Sequence, residues 1–269
     1  RDYAVTGVQT CALPIYKRDA MNTIYAFCRK TDDIVDSEEG NDELKYQTLI
    51  KWHLQLEKAF SNNSEFSLLN KVANTIKQFN IPYELFFELI RGMEMDLVNK
   101  RYKNFDELKL YCYRVASTVG LMCIEIFGYQ NKSARDFAES LGIALQLTNI
   151  LRDVKKDSEL GRIYLPQEDL IKFGYEENSL FNAEYNLNFV SLMEFQANRA
   201  KYFFDLATNS LDLEDKSSMF AARAMQHIYS RILERIMQNN YDVFNKDVNL
   251  TKMEKVGISL GVWAKYRLV

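Results

Sequence analysis

The sequence predicts an all-α protein, a single helical domain built around one central cavity. Three observations carry that prediction. Helix breakers are sparse, with 10 glycines and 3 prolines in 269 residues. Apolar residues recur at helical spacing at about residues 17–37, 41–61, 65–79, 83–101, 105–128, 133–157, 187–210, 216–239 and 249–266. Two of these segments carry a polar ridge along one face, where a core helix would stay apolar and a surface helix would mix lysine with glutamate.

In chain order, the first fifteen residues stand apart. Val5–Ile15 reads, residue for residue, as the translation of a widely used sequencing adapter. Residues 1–15 are therefore expected to be a library artefact that packs poorly and makes no cluster of contacts with the first predicted helix. The other 254 residues (269 − 15) suit one domain. In the first helix Tyr25, Arg29, Asp32 and Asp36 follow at steps of four, three and four, so they share a face, with Asp33 one step off it. Pro82 falls in the first turn of the helix that follows Asn80, and Asn104-Phe-Asp-Glu107 reads as a helix cap.

Further on, Tyr111, Val115, Thr118 and Val119 share one side of a helix, while Ala116, Ser117 and Gly120 keep nearby bulk low. Small residues there leave room for another helix or for an apolar ligand chain. The second ridge comes next: Gln146, Asn149, Asp153 and Asp157, at steps of three, four and four. The stretch from Ser158 to Asn186, with Pro166 and Gly174, is the least regular part of the chain.

Two DxxxD helices facing each other would bring four carboxylates together, which is costly unless divalent cations lie between them. Oxygen donors of this kind suit Mg²⁺ beside a phosphate-bearing substrate, with Arg29 and Arg152 placed to grip phosphate oxygens. Taken alone, either ridge also suits a solvated helix face. A net charge of −3 gives no basis for nucleic acid as a partner. Beyond the leading segment, Cys28, Cys112 and Cys123 form no CxxC pair, which fits a reducing compartment and disfavours structural zinc. No run approaches the roughly 18 apolar residues of a membrane span. Hydrophobic residues at 47% and aromatics at 13% supply both a core and cavity walls.

Ile24–Arg29 running into Asp32–Asp36, then Tyr111–Gly120 and Gln146–Tyr164, resemble the squalene/phytoene synthase family in the family's order. Gly92–Leu97, Arg162–Pro166, Tyr229 and Tyr241–Phe244 add weaker matches, so the resemblance covers nearly everything from residue 16 onward. It implies a class I isoprenoid (terpenoid) synthase bundle over residues 16–269 that lacks the family's first helix. It also implies Mg²⁺-dependent, head-to-head condensation of two prenyl diphosphates through a cyclopropyl diphosphate. The substrates would be two geranylgeranyl diphosphates, giving phytoene, or two farnesyl diphosphates, giving presqualene diphosphate, squalene or dehydrosqualene. A non-catalytic relative acting in binding or assembly is the reading of another class.

By the same resemblance, Asp32, Asp36, Asn149, Asp153 and Asp157 would hold two or three Mg²⁺ ions. Tyr111, Arg29, Arg152 and Tyr229 would be catalytic. Tyr25, Val115, Ala116, Val119, Gly120, Gln146, Tyr164 and Lys246 would bind substrate, Lys246 standing near where relatives present an arginine. NADPH would enter only for squalene. A cytoplasmic monomer or homodimer is expected, in peripheral contact with a membrane for release of a lipid product.

Overall fold

The computed structural model describes residues 13–37 and 40–267, with the side chains of 266 and 267 excepted. Most of the segment assigned to the adapter lies outside the described residues. Of its last three residues, Leu13 is half-buried against the core, Pro14 precedes the first helix, and Ile15 opens it with its side chain exposed.

The helices are α1 (Ile15–Asp36), α2 (Asp42–Ala59), α3 (Ser67–Phe79), α4 (Glu84–Val98), α5 (Phe105–Cys112), α6 (Thr118–Phe127) and α7 (Ser133–Glu159). They continue as α8 (Gln167–Lys172), α9 (Glu177–Phe181), α10 (Leu187–Ser210), α11 (Phe220–Gln238) and α12 (Lys252–Arg267). Their ends follow local chemistry. Asn41, Asn104 and Asn186 each cap a helix by accepting a backbone N–H three residues on, at 2.9–3.0 Å. Asn80 closes α3 in the left-handed conformation at φ +52°. The irregular stretch after α7 contains α8 and α9, too short for a periodic signal.

One segment departs from the expectation of a continuous helix over 105–128. Residues Tyr113–Ser117 form a π-helical turn between α5 and α6. Within Phe105–Phe127 an 18-residue window has a mean hydropathy of 1.3, enough by length and composition to cross a membrane, which corrects the sequence reading that no such run exists. Slightly more than half of it is buried within the bundle, against α4 and α7.

Helix α7 is central, packing along α10 and also touching the π turn, α6 and α11. Ser117 and Gly142 are the closest approach: a Cβ on Gly142 would stand 2.4 Å from Ser117 Cα, so only hydrogen fits there. On the other side of α6, α1 packs against α2, α3 and α4. Its Phe27 meets Phe86 edge-on at 5.2 Å, and Thr31 accepts a hydrogen bond from Trp52 Nε1 at 3.0 Å. Anchoring that back face turns Tyr25, Cys28 and Asp32 the other way, toward α6 and α7.

Candidate active site

Between α1, the π turn with α6, α7 and α11 lies an apolar cavity of about 160 Å³. Helix α1 supplies Met21, Ile24, Tyr25 and Cys28; Ala116, Val119, Gly120 and Cys123 follow from the π turn and α6. Helix α11 contributes Ala221, Ala222, Met225 and Tyr229, and α7 lines the wall from Ala138 to Gln146 and Asn149. Seven residues expected at the site therefore line one space: Tyr25, Ala116, Val119, Gly120, Gln146, Asn149 and Tyr229. One of the small residues both packs closely and borders open space. Gly120 approaches the Ala138 carbonyl, where an added Cβ would lie 3.1 Å away, and it also faces the cavity.

The acidic ridges continue the lining of α1 and α7 by one helical turn each. Asp32 follows Cys28 at i+4, and Asp153 follows Asn149 at i+4. Arg162 relates the two ends. Its N–H donates to the Asp157 carbonyl at 2.9 Å, and its guanidinium stands 3.7 Å from Asp36. Asp32 is buried, Asp36 exposed, and Asp153 and Asp157 half-buried. Arg152 grips Asp153 with two hydrogen bonds, at 2.9 and 2.6 Å, and Arg29 pairs with Asp33 at 3.0 Å on the outer side of α1. Among the described residues no three His, Cys, Asp or Glu side chains form a ready-made metal group.

The donor set nonetheless fits a hard cation. Asn149 Nδ2 donates to Gln146 Oε1 at 3.5 Å, while Asn149 Oδ1 is buried without a hydrogen-bond partner. A buried amide oxygen in that state is destabilising by about 1–3 kcal/mol unless something coordinates it. With Asp153 one turn further along the same face, an oxygen-seeking divalent ion would meet that need.

Other expected residues lie elsewhere. Val115 is buried against α4, where a Cβ on Gly92 would come within 2.7 Å of its Cγ1. Lys246 is exposed, two residues past Phe244, whose carbonyl accepts from Lys155 Nζ at 3.2 Å. Tyr111 and Tyr164 are buried outside the cavity lining and meet at a carboxylate not foreseen as part of the site. Tyr111 donates to Asp96 Oδ2 at 3.0 Å and Tyr164 to Asp96 Oδ1 at 2.7 Å. The rings of Tyr102 and Tyr111 lie 5.2–5.8 Å from one another and from Tyr164. A signal for Asp96 was present in the sequence. It continues the apolar face of Leu89, Gly92 and Met93 on α4, where a lone carboxylate needs internal partners.

The two cavity cysteines were also missed as a pair. Burial raises the Cys28 thiol well above its ordinary value, with Cys123 and then Asp32 adding to the shift. Burial pushes Cys123 up to about 12.

A helical bundle enclosing an apolar cavity with amide and carboxylate oxygens at one end is the terpenoid synthase class of fold. Its family model, squalene/phytoene synthase, matches residues 8–254, and this chain belongs to that family of prenyltransferases, which act on prenyl diphosphates and are generally metal dependent. It is 38% identical over 249 residues to a 15-cis-phytoene synthase of Synechococcus elongatus, covering 88% of this chain and 80% of that one. Against a phytoene synthase of Arthrospira platensis it is 36% identical over 260 residues, covering 92% and 84%. A crystal structure of a dehydrosqualene synthase with a ligand superposes with a TM-score of 0.85 at 26% identity, covering 97% of this chain and 91% of that one.

Proposed function

We propose that the chain condenses two geranylgeranyl diphosphates head to head to give phytoene. The observation that carries this reading is the similarity to two phytoene synthases, at 36–38% identity over most of the chain. Supporting it, the cavity between α1, α6, α7 and α11 is walled by apolar side chains, with polar groups gathered toward one end.

Asp32, Asp36, Asn149, Asp153 and Asp157 would hold Mg²⁺, which when bound would supply charge neutralisation for the departing diphosphate. The chain's own residues do the rest. Arg152 holds phosphate oxygens, exchanging its present grip on Asp153 for the substrate, and Arg29 would have to leave its pairing with Asp33 on the outer side of α1 to do the same. The C–O bond of one substrate breaks and the diphosphate leaves with the electron pair. The double bond of the second substrate attacks the allylic cation, and a proton is lost to give a cyclopropyl diphosphate. A second ionisation, rearrangement and proton loss then yield the hydrocarbon with no reductant. Apolar walls from Ile24, Val119, Leu141 and Leu145 keep water from the cations, and the ring of Tyr229 offers a π face to them.

A second reading, two farnesyl diphosphates giving dehydrosqualene, or squalene with NADPH, rests on the superposition with a dehydrosqualene synthase. Incubation with each diphosphate and Mg²⁺, with and without NADPH, followed by identification of the extracted lipid, separates the readings. Phytoene from the C20 substrate without NADPH is expected. Turnover of the C15 substrate alone would replace the first reading by the second.

A further inference from the structure

Two sulfurs border the cavity, and the proposed condensation has no use for either. On α1, Met21, Ile24, Tyr25 and Cys28 recur at steps of three, one and three, so they share the face that lines the space. On α6, Val119, Cys123 and Phe127 do the same at steps of four. The two helices pack on each other, which sets Cys28 and Cys123 on adjoining walls of one cavity. Neither is in a disulfide; Cys28 is buried and Cys123 half-buried. Cys112, the remaining cysteine among the described residues, is buried and does not line the cavity.

Their surroundings limit what these thiols can bind. Burial first, then Cys123 and then Asp32, holds Cys28 well above its ordinary value, so the two sulfurs lie within electrostatic range of each other. Burial pushes Cys123 up to about 12. Both are therefore uncharged at neutral pH. Alkylation and disulfide exchange start from a thiolate, and a thiolate is costly in an apolar space. Zinc is disfavoured on a second ground. It takes four ligands, and among the described residues no third His, Cys, Asp or Glu joins the pair in a metal-binding group. What fits is a soft centre that needs two sulfurs, accepts them as neutral thiols and ends uncharged. Trivalent arsenic with one organic substituent has those properties.

We propose that Cys28 and Cys123 form a dithiol site for a trivalent organoarsenical, whose apolar substituent lies in the cavity among side chains such as Met21, Ile24, Val119 and Leu145. The step balances without an oxidant. With the hydrated form of phenylarsine oxide, which carries two As–OH groups, each sulfur forms an S–As bond as an As–O bond breaks. Each thiol proton leaves with a hydroxide as water, and arsenic stays trivalent. The product is neutral, so no charge is left in the apolar space. Its ring occupies room that a prenyl chain needs. That consequence rests on the proposed reaction, whereas the binding does not.

The test treats the full chain, reduced beforehand and free of substrate, with phenylarsine oxide. Cys11→Ser with Cys112→Ala leaves the pair as the chain's only thiols. By intact mass, that variant should take up one phenylarsenic group in place of two thiol hydrogens, with unchanged circular dichroism. In the unmutated chain, digestion should recover the peptide of Cys28 joined through arsenic to that of Cys123. 2,3-Dimercaptopropanol should release the label, whereas 2-mercaptoethanol at equal thiol concentration should not. Cys123→Ala should hold arsenic about a hundredfold less tightly, because the second S–As bond is intramolecular. Product formation by the labelled chain should fall in proportion to labelling.

Arsenic held by one cysteine alone overturns the proposal, as does equal retention by Cys123→Ala or uptake only after the helical signal is lost. An active chain whose product yield survives full labelling also overturns it, because the ring would then lie outside the cavity. Two-sulfur binding by a chain that forms no phytoene would sink the proposed reaction and leave this inference standing.

Discussion

Two carboxylates show how differently the same residue type is used in this bundle. Asp153, half-buried at the cavity's polar end, is forked by Arg152 and continues the ridge of Asn149, whose Oδ1 is buried without a partner. Asp153→Asn keeps size and helix propensity but removes the charge that would hold a cation against diphosphate. We expect an unchanged circular dichroism spectrum and a loss of about 10²–10³ in product formation at saturating Mg²⁺. Lys156→Gln, at an exposed position beside the ridge, should leave turnover within about twofold. Asp96 instead ties Tyr111 and Tyr164 together. An amide accepts only one of those two phenols, so Asp96→Asn should cost about 1.5–3 kcal/mol. For a chain of this size, thermal denaturation should then come several degrees lower.

At the scale of elements, the site depends on how closely α7 meets the π turn. Ser117 Oγ donates to the Glu139 carbonyl at 2.7 Å, and Gly142 fits against the Ser117 backbone one turn of α7 further on. Because the clashing atoms are main-chain, they have no rotamer through which to yield. Gly142→Ala should therefore destabilise by about 3 kcal/mol or more, despite alanine's better helix propensity, as read from the denaturant midpoint. The loop after α7 is held as firmly. Ile163 pairs in parallel with Arg101, and Arg101 Nε reaches Glu177 on α9 at 2.8 Å, fixing the approach of Arg162 to Asp36.

Across the whole molecule, Asp215 ties the turn between α6 and α7 to the segment between α10 and α11. Burial alone would raise its pKa, but N–H groups of Gln130 and Asn131 and the Asn131 side chain lower it. A depressed folded-state value makes this contribution fully present above the unfolded carboxylate value of about 3.9 and lost as pH falls through the lower folded value. Asp215→Asn should thus be less stable than the parent chain at neutral pH, with the gap closing below about pH 4 in denaturant titrations. The cavity gives a second whole-molecule readout. With Cys123 at about 12 and Cys28 raised, iodoacetamide at about pH 8 should label both far more slowly than free cysteine. A bound prenyl diphosphate analogue should slow labelling further, as followed by peptide mass.

The sequence by itself determined the helices and the faces they present, because both follow from local periodicity and capping. The segments near 133–157 and 187–210, the Asn104 cap and the shared face of Gln146, Asn149 and Asp153 were all legible from spacing alone. The family resemblance, not spacing, brought Tyr25, Val119 and Gln146 into one candidate set, and all three line the cavity. Only the tertiary structure decided which of two buried destinations each side chain takes. Val115 and Val119 are one helical turn apart, yet one packs on Gly92 and the other faces the cavity, because the π turn rotates the helix between them. The tyrosines that Asp96 meets and the Cys28–Cys123 pair are set by contacts between segments distant in sequence, for which no local pattern exists. The apolar outward face of α12 has the same origin: the sequence makes the helix apolar on several sides, and docking on α11 chooses which of them meets solvent.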